Sequence, residues 1–164
     1  MLVKDFNSFY KDNVIFLHDI VNSINSLDQK KKKWCKHLNR KGSAIQYFYY
    51  CALVKQYLNE KNSQILDWGS QYGHVSKILL KYYDNVISYN PLSEEETDSI
   101  FNIESNLNEI MDLLKLDKKY RKFGIKPTSK LPFDDCSFDA IISSGVLEHV
   151  REDYEKNDEL TCLK

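Results

Sequence analysis

The sequence has no run of 18 or more consecutive apolar residues, and its start, Met1-Leu2-Val3-Lys4-Asp5, lacks the basic-then-apolar order of a secretion signal. Neither a membrane-spanning nor an exported protein is expected, and the cytoplasm is the expected compartment. An excess of one charge is also missing: 23 Lys and Arg stand against 24 Asp and Glu, a net charge of -1. No global field draws such a chain onto nucleic acid or an anionic membrane, so the expected partner is a small molecule or another protein. Cysteine is sparse and never in a Cys-x-x-Cys pair; Cys35, Cys51, Cys136 and Cys162 read as reduced thiols, not a disulfide framework. Only five glycines and three prolines occur, and no repeat or low-complexity linker interrupts the chain. What is present, 42% hydrophobic residues with 13% aromatic, is ample for one packed core.

Periodicity divides the chain in two. From Phe6 to Ile24 the residues Phe6, Phe9, Tyr10, Val14, Leu17, Ile20, Val21 and Ile24 recur at three- and four-residue steps, which predicts an amphipathic helix. A basic stretch follows from Lys30 to Lys41 and reads as a solvated helix face, not an RNA contact. A further helix is expected from Ser43, as its cap, to Asn59, with the aromatic cluster Tyr47-Phe48-Tyr49-Tyr50 used in packing. After these helices the period changes. Gln64 to Trp68 is a short apolar run ending in Gly69, then Gly73 and a helical repeat of Val75, Ile78, Leu79 and Tyr82, giving strand, glycine turn and helix. Asn85 to Tyr89 reads as a second strand closed by Asn90-Pro91. Ser93 with Glu96 forms a capping box, and Ile103, Leu107, Ile110, Met111 and Leu114 give the next helix its apolar face. Ile125 to Thr128 is expected as a third strand. Phe138 to Ser144 is expected as a fourth, with Ala140-Ile141-Ile142 suited to burial on both sides. Strands alternating with helices predict a parallel, three-layer α/β sheet.

In such a sheet ligands bind beyond the carboxyl ends of the strands, and the first strand-to-helix turn is the centre of the site. Here that turn is Asp67-Trp68-Gly69-Ser70-Gln71-Tyr72-Gly73. Gly69 permits a positive φ and Gly73 a close approach of helix to strand, an arrangement expected to leave backbone N–H groups facing an anionic ligand group. Two glycines at this spacing also suit a turn that needs them for conformation alone.

The second constellation is Leu131-Pro132-Phe133-Asp134-Asp135-Cys136-Ser137-Phe138-Asp139, running through Ala140-Ile141-Ile142-Ser143-Ser144-Gly145-Val146 into Leu147-Glu148-His149-Val150. It resembles the LPF-x-x-x-SFD-to-LEHV signature of class I S-adenosylmethionine-dependent methyltransferases, the methyltransferase type 11 group, and the Asp67-to-Gly73 turn resembles that family's D-x-G-x-G-x-G loop. The resemblance covers roughly Ile65 to Val150. It implies a Rossmann-like three-layer α/β sandwich with a mainly parallel sheet, S-adenosylmethionine as cofactor, and direct displacement of its methyl group by a small-molecule acceptor. By position it puts Asp67, Gly69, Ser70 and Gly73 on the loop holding the methionine portion, Asn90 at the ribose hydroxyls, and Thr128 or Ser129 near the adenine. Ser144, Gly145 and Val146 fall beside the sulfonium, with Glu148 and His149 just beyond. Histidine titrates near neutrality, so His149 is the candidate general base; the other reading has it cap the helix after the fourth strand and shape the acceptor pocket. A metal-dependent RNA methyltransferase subgroup carries E-x-x-E-H here, but Gly145 stands at the first acidic position and no metal site is expected.

Several positions depart from the pattern. Gln71 replaces the middle glycine of the loop, where a side chain crowds the approach to the cofactor. Asn90 replaces an acidic residue and grips hydroxyls less strongly than a carboxylate. Pro127 stands near the place of the usual acidic residue before the LPF motif. The family has seven strands and four are read here, so the fold is expected to be incomplete at the C-terminus. It would then have an unpaired sheet edge open to a protein partner or to self-association. The expected organisation is a helical preface over residues 1–60, of the kind that forms a lid, and the first part of a cofactor-binding domain over 61–164. The expected function is a small-molecule methyltransferase; the alternative is a non-catalytic remnant or binding module that keeps the fold. A nicotinamide-dinucleotide domain is disfavoured because Gly69 and Gly73 do not give G-x-G-x-x-G.

Overall fold

The computed structural model describes residues 6–26, 41–92, 105, 107–125 and 131–144. In chain order these form α1 (Phe6–Asn25), α2 (Lys41–Tyr57), β1 (Gln64–Trp68), α3 (His74–Leu79) and β2 (Asn85–Leu92). A helical stretch α4 (residues 107–113), a 3-10 turn (Lys118–Tyr120), β3 (Arg121–Ile125) and β4 (Ala140–Ser143) complete them. The basic stretch before Lys41, the Ser93/Glu96 capping box and everything beyond Ser144 lie outside the described residues.

The four strands form one all-parallel sheet in the order β3-β2-β1-β4. Together with its helices it is a Rossmann-like α/β fold. One face carries Ile65, Val86 and Ile142, which pack in a single cluster with Phe9 of α1, Phe48, Cys51 and Ala52 of α2, and Val75, Ile78 and Leu79 of α3. Side chains of this size contribute roughly 1.5–3 kcal/mol each when fully buried, so α1 and α2 are joined to the sheet by the same core that α3 uses. A second cluster joins Ile20 of α1 to Tyr72 and to Leu107, Ile110 and Leu114 of the α4 region. The opposite face carries Leu66, Trp68 and Tyr89, covered by Leu131, Phe133 and Phe138. The LPF segment is thus the cover of the second face.

Among the polar side chains buried in the helix layer, Asn13 is fully enclosed. Asn13 Nδ2 donates to the Phe9 carbonyl at 2.7 Å and to Tyr82 Oη at 2.8 Å, and its Oδ1 accepts from Lys81 Nζ at 2.8 Å. With these partners its burial carries no desolvation penalty.

Several element boundaries and one burial pattern differ from the sequence expectation. The second helix begins at Lys41, so Ser43 lies inside its first turn and is not its cap. β2 continues through Asn90 and Pro91 to Leu92, because Ser88 to Leu92 pair with β3. Proline is tolerated there: the Tyr89 carbonyl faces the β1 side, alternation turns position 91 the same way, and β1 has already ended at Trp68. The third strand is Arg121–Ile125 and not a segment starting at Ile125. Its place is set by tertiary contacts that outweigh weak strand propensity. Arg121, almost fully enclosed, donates to the Leu116 carbonyl and Asn108 Oδ1 and forms a 2.6 Å ion pair with Asp112. In β4 only Ile142 is buried; Ile141 is 42% exposed, so the run is not enclosed on both sides among the described residues.

Gly124 shows how closely β2 and β3 are fitted. A Cβ there would lie 2.6 Å from Tyr89 Oη and 3.2 Å from its ring, and Tyr89 is held by an edge-on contact with Phe133 at 5.4 Å. Gly124→Ala is expected to lower stability by about 1–3 kcal/mol in chemical denaturation. Tyr89→Phe removes a buried hydroxyl without a partner among the described residues; it should change stability by less than about 1 kcal/mol and reduce the cost of Gly124→Ala. Strictly additive costs would show that the phenol does not set this spacing.

Candidate functional site

The topology selects the place. β1, β2 and β3 step in one direction across the sheet, and the general right-handed rule for parallel crossovers places α3 and α4 on the same face. The chain then crosses back to β4 on the other side of β1, and the 131–138 segment lies on the opposite face. Strand order therefore reverses between β1 and β4, and the crevice beyond their carboxyl ends is the natural ligand position. Trp68 and its register partners Tyr89 and Ser143 form the last row of the sheet there.

The turn above this row alternates in handedness. Gly69 has φ 70°, Gln71 φ 48° and Gly73 φ 71°. Gly73 meets both needs of its position: a Cβ there would collide with Leu116 Cδ2 and sit 3.3 Å from Ser88 Oγ. Gln71 takes the left-handed conformation with a side chain, which costs roughly 1–2 kcal/mol. Five contacts tie the turn to β2. The N–H groups of Gly69 and Ser70 donate to the Tyr89 carbonyl at 2.8 and 3.2 Å, and Ser70 Oγ pairs with Ser88 Oγ at 2.6 Å. The Gln71 N–H donates to Asn90 Oδ1 at 2.6 Å, and Asn90 Nδ2 donates to the Gln71 carbonyl at 3.0 Å. The Gly73 N–H donates to the Ser70 carbonyl. This corrects the expectation for the turn's N–H groups: those of Gly69, Ser70, Gln71 and Gly73 are engaged inside the fold and do not face a ligand.

Asp67 lies on the helix side of β1. Its Oδ2 accepts from the Ser76 N–H at 3.0 Å and the Ser76 hydroxyl at 2.7 Å, fixing the first turn of α3. Burial pushes its carboxyl up to about 6, with the two Ser76 bonds opposing the rise. Burial likewise raises the Cys51 thiol, and the Asp67 charge adds to it. His74, at the start of α3, is buried against Tyr47 with ring centroids 4.3 Å apart.

Of the residues expected at the site, Asp67, Gly69, Ser70, Gly73 and Asn90 are brought together around the end of β1, and Ser144 follows β4 directly, half-buried. Thr128, Ser129, Gly145 and His149 lie outside the described residues. Ser88, Ser76, Leu116 and the row Trp68, Tyr89 and Ser143 were not singled out from sequence. Ser88 had a signal: with Asn90 it places polar groups on the same side of an otherwise apolar strand. Trp68 Nε1, Tyr89 Oη and Ser143 Oγ are buried without hydrogen-bond partners among the described residues. A separate cleft of about 460 Å3 between α1 and the α4 region, lined by Phe16, Ile20, Lys77 and Leu114, includes no residue of the turn.

The raised Asp67 pKa has a defined consequence. An unfolded aspartate ionises near 3.8 and the folded Asp67 near 6. Below that window both states hold the proton. As pH rises through it the unfolded chain releases its proton first, so the folded state loses stability, fully so above the folded pKa. Asp67→Asn keeps an acceptor for Ser76 without ionising. Between about pH 4 and about pH 7 its stability relative to the parent should rise by on the order of 2–3 kcal/mol in urea denaturation. An unchanged difference would mean the carboxyl is not buried as described.

A family model described as a methyltransferase domain matches residues 66–160, more than half of the chain. No curated protein and no solved structure matches it. The matched span contains the β1 turn, the β1–β4 crevice and the LPF cover, in the strand order just described, and the chain belongs to the methyltransferase-domain family, built on the class I, Rossmann-like fold.

Proposed function

We propose that this protein is an S-adenosylmethionine-dependent methyltransferase with a small-molecule acceptor. The observation that carries the reading is the turn of residues 69–73 at the carboxyl end of β1, held to β2 and placed where strand order reverses. The residues fit such a cofactor in hydrogen-bonding capacity. Asn90 uses two of its amide's four hydrogen-bonding positions on Gln71, and among the described residues one lone pair and one N–H remain. Trp68 Nε1, Tyr89 Oη and Ser143 Oγ add buried polar atoms without partners among the described residues, at the same end of the sheet. When bound, the cofactor supplies a methyl group on a positively charged sulfur.

The roles assigned to this chain's residues are binding and orientation. Gly69, Ser70 and Gly73 shape the turn and Asp67 fixes the helix that follows it. Asn90, with Thr128 or Ser129, supplies polar contacts to the nucleoside, and Ser144 with Gly145 flanks the reacting end. His149 is the candidate to take a proton from the acceptor. Methyl transfer depends chiefly on such positioning, so acid–base help is secondary. The net charge of -1 favours a small acceptor over nucleic acid. The free Cys51 and Cys136 thiols agree with a cytoplasmic setting; no described helix is long and apolar enough to cross a membrane. Among the described residues β4 pairs on one side only, which supports a protein contact or self-association along that edge. The departures from the family pattern at Gln71 and Asn90 favour a second reading, a non-catalytic remnant or binding module that keeps the fold.

Calorimetric titration with S-adenosylhomocysteine tests the cofactor site without an acceptor. Saturable one-to-one binding in the micromolar range, about −8 kcal/mol, is expected. Asp67→Ala should weaken it at least about tenfold in a sample shown to be folded, because α3 loses its anchor. His149→Ala should leave it unchanged. No binding by a folded, monodisperse sample would refute the enzyme reading and leave the second.

A further inference from the structure

We propose that Asn90 is the positioning residue of the β1 turn: its amide, paired at once with the N–H and the carbonyl of Gln71, holds a non-glycine residue in the left-handed conformation the turn requires. The inference rests on reading this turn as the cofactor-holding element, and it makes residues 71 and 90 one functional unit.

Three observations combine. Gln71 has φ 48°, in the region that L side chains avoid, between two glycines that occupy the same region without cost. Asn90 is only 5% exposed, and its fixed planar amide meets both polar groups of one residue, at 2.6 and 3.0 Å. A carboxylate could accept from the Gln71 N–H but could not donate to its carbonyl, and an apolar side chain could do neither. Asparagine is the side chain of this length that completes the pair.

Gln71 is exposed as a residue and its two bonds to Asn90 are part-buried, so water can compete for both groups if Asn90 is lost. What Asn90 supplies beyond water is therefore geometry, by selecting one handedness. Glycine at position 71 would need no such selection. The costs of changing Asn90 must then depend on what occupies position 71. A side chain that merely fills a buried space would show no such dependence.

The test is a four-protein cycle of the parent, Asn90→Ala, Gln71→Gly and the double variant. Each is followed by chemical denaturation and by titration with S-adenosylhomocysteine. Asn90→Ala should lower the folded-to-unfolded ratio about tenfold and weaken binding by a similar factor. Gln71→Gly alone should move each quantity less than about threefold. In the Gln71→Gly background, Asn90→Ala should cost less than about threefold in stability, while binding recovers only the part lost through the turn and not the direct contact of Asn90 to the nucleoside. Equal stability losses in the two backgrounds would overturn the proposal. If Asn90→Ala does not fold, Asn90→Asp, which keeps the acceptor and loses the donor, takes its place with the same rescue expected. Coupling in stability with no binding by any of the four proteins upholds the clamp and removes the cofactor reading, so the two claims fail separately.

Discussion

The carbonyl of Tyr89 accepts hydrogen bonds from both Gly69 and Ser70, one residue beyond the point where β1 stops pairing as a strand. Most of what the site can do depends on this continuation of the β1–β2 ladder into a turn. It makes β2 the template on which residues 69–73 are shaped. Ser88 and Asn90, both on the helix-facing side of that strand, then reach Ser70 and Gln71 with their side chains. A turn tied at the backbone and again through side chains can present a fixed surface at the switch point, and preorganisation of this kind is how binding sites limit the entropy lost on association.

The same region carries two deliberate costs. Gln71 occupies a left-handed conformation, and Asp67 keeps a carboxyl inside the core, where burial pushes it up to about 6. Both are offset locally, by Asn90 in one case and by the Ser76 N–H and hydroxyl in the other. Strain and buried polarity collected at one end of a sheet are characteristic of functional sites, while the rest of the helix layer is mainly apolar packing around Phe48, Ile65 and Ile78, with Asn13 as a hydrogen-bonded polar exception.

How much of this was legible in the sequence depended on whether the cause was local. α1 could be read because its apolar residues repeat at the helical period, and its boundaries fall within one residue of the expectation. β1 and its glycines were equally clear, and the positive φ of Gly69 and the close approach of Gly73 followed from glycine chemistry alone. β3 was misplaced because Arg121, Lys122 and Gly124 are poor strand formers. Their place is fixed by the Arg121 contacts and by the Tyr89 ring across Gly124, which no window of sequence displays. The left-handed Gln71 was hidden for a similar reason: glutamine carries no signal for positive φ, and its partner lies nineteen residues away. The exposure of Ile141 followed from sheet position, not residue type.

Amide hydrogen exchange with and without S-adenosylhomocysteine addresses the central claim, that the β2-templated turn holds the cofactor, by reporting where a ligand acts. Exchange should slow chiefly at residues 69–73 and at Tyr89 and Asn90, with little change along α1. Protection confined to the cleft lined by Phe16, Ile20 and Leu114, or none at the turn under saturating ligand, would contradict it.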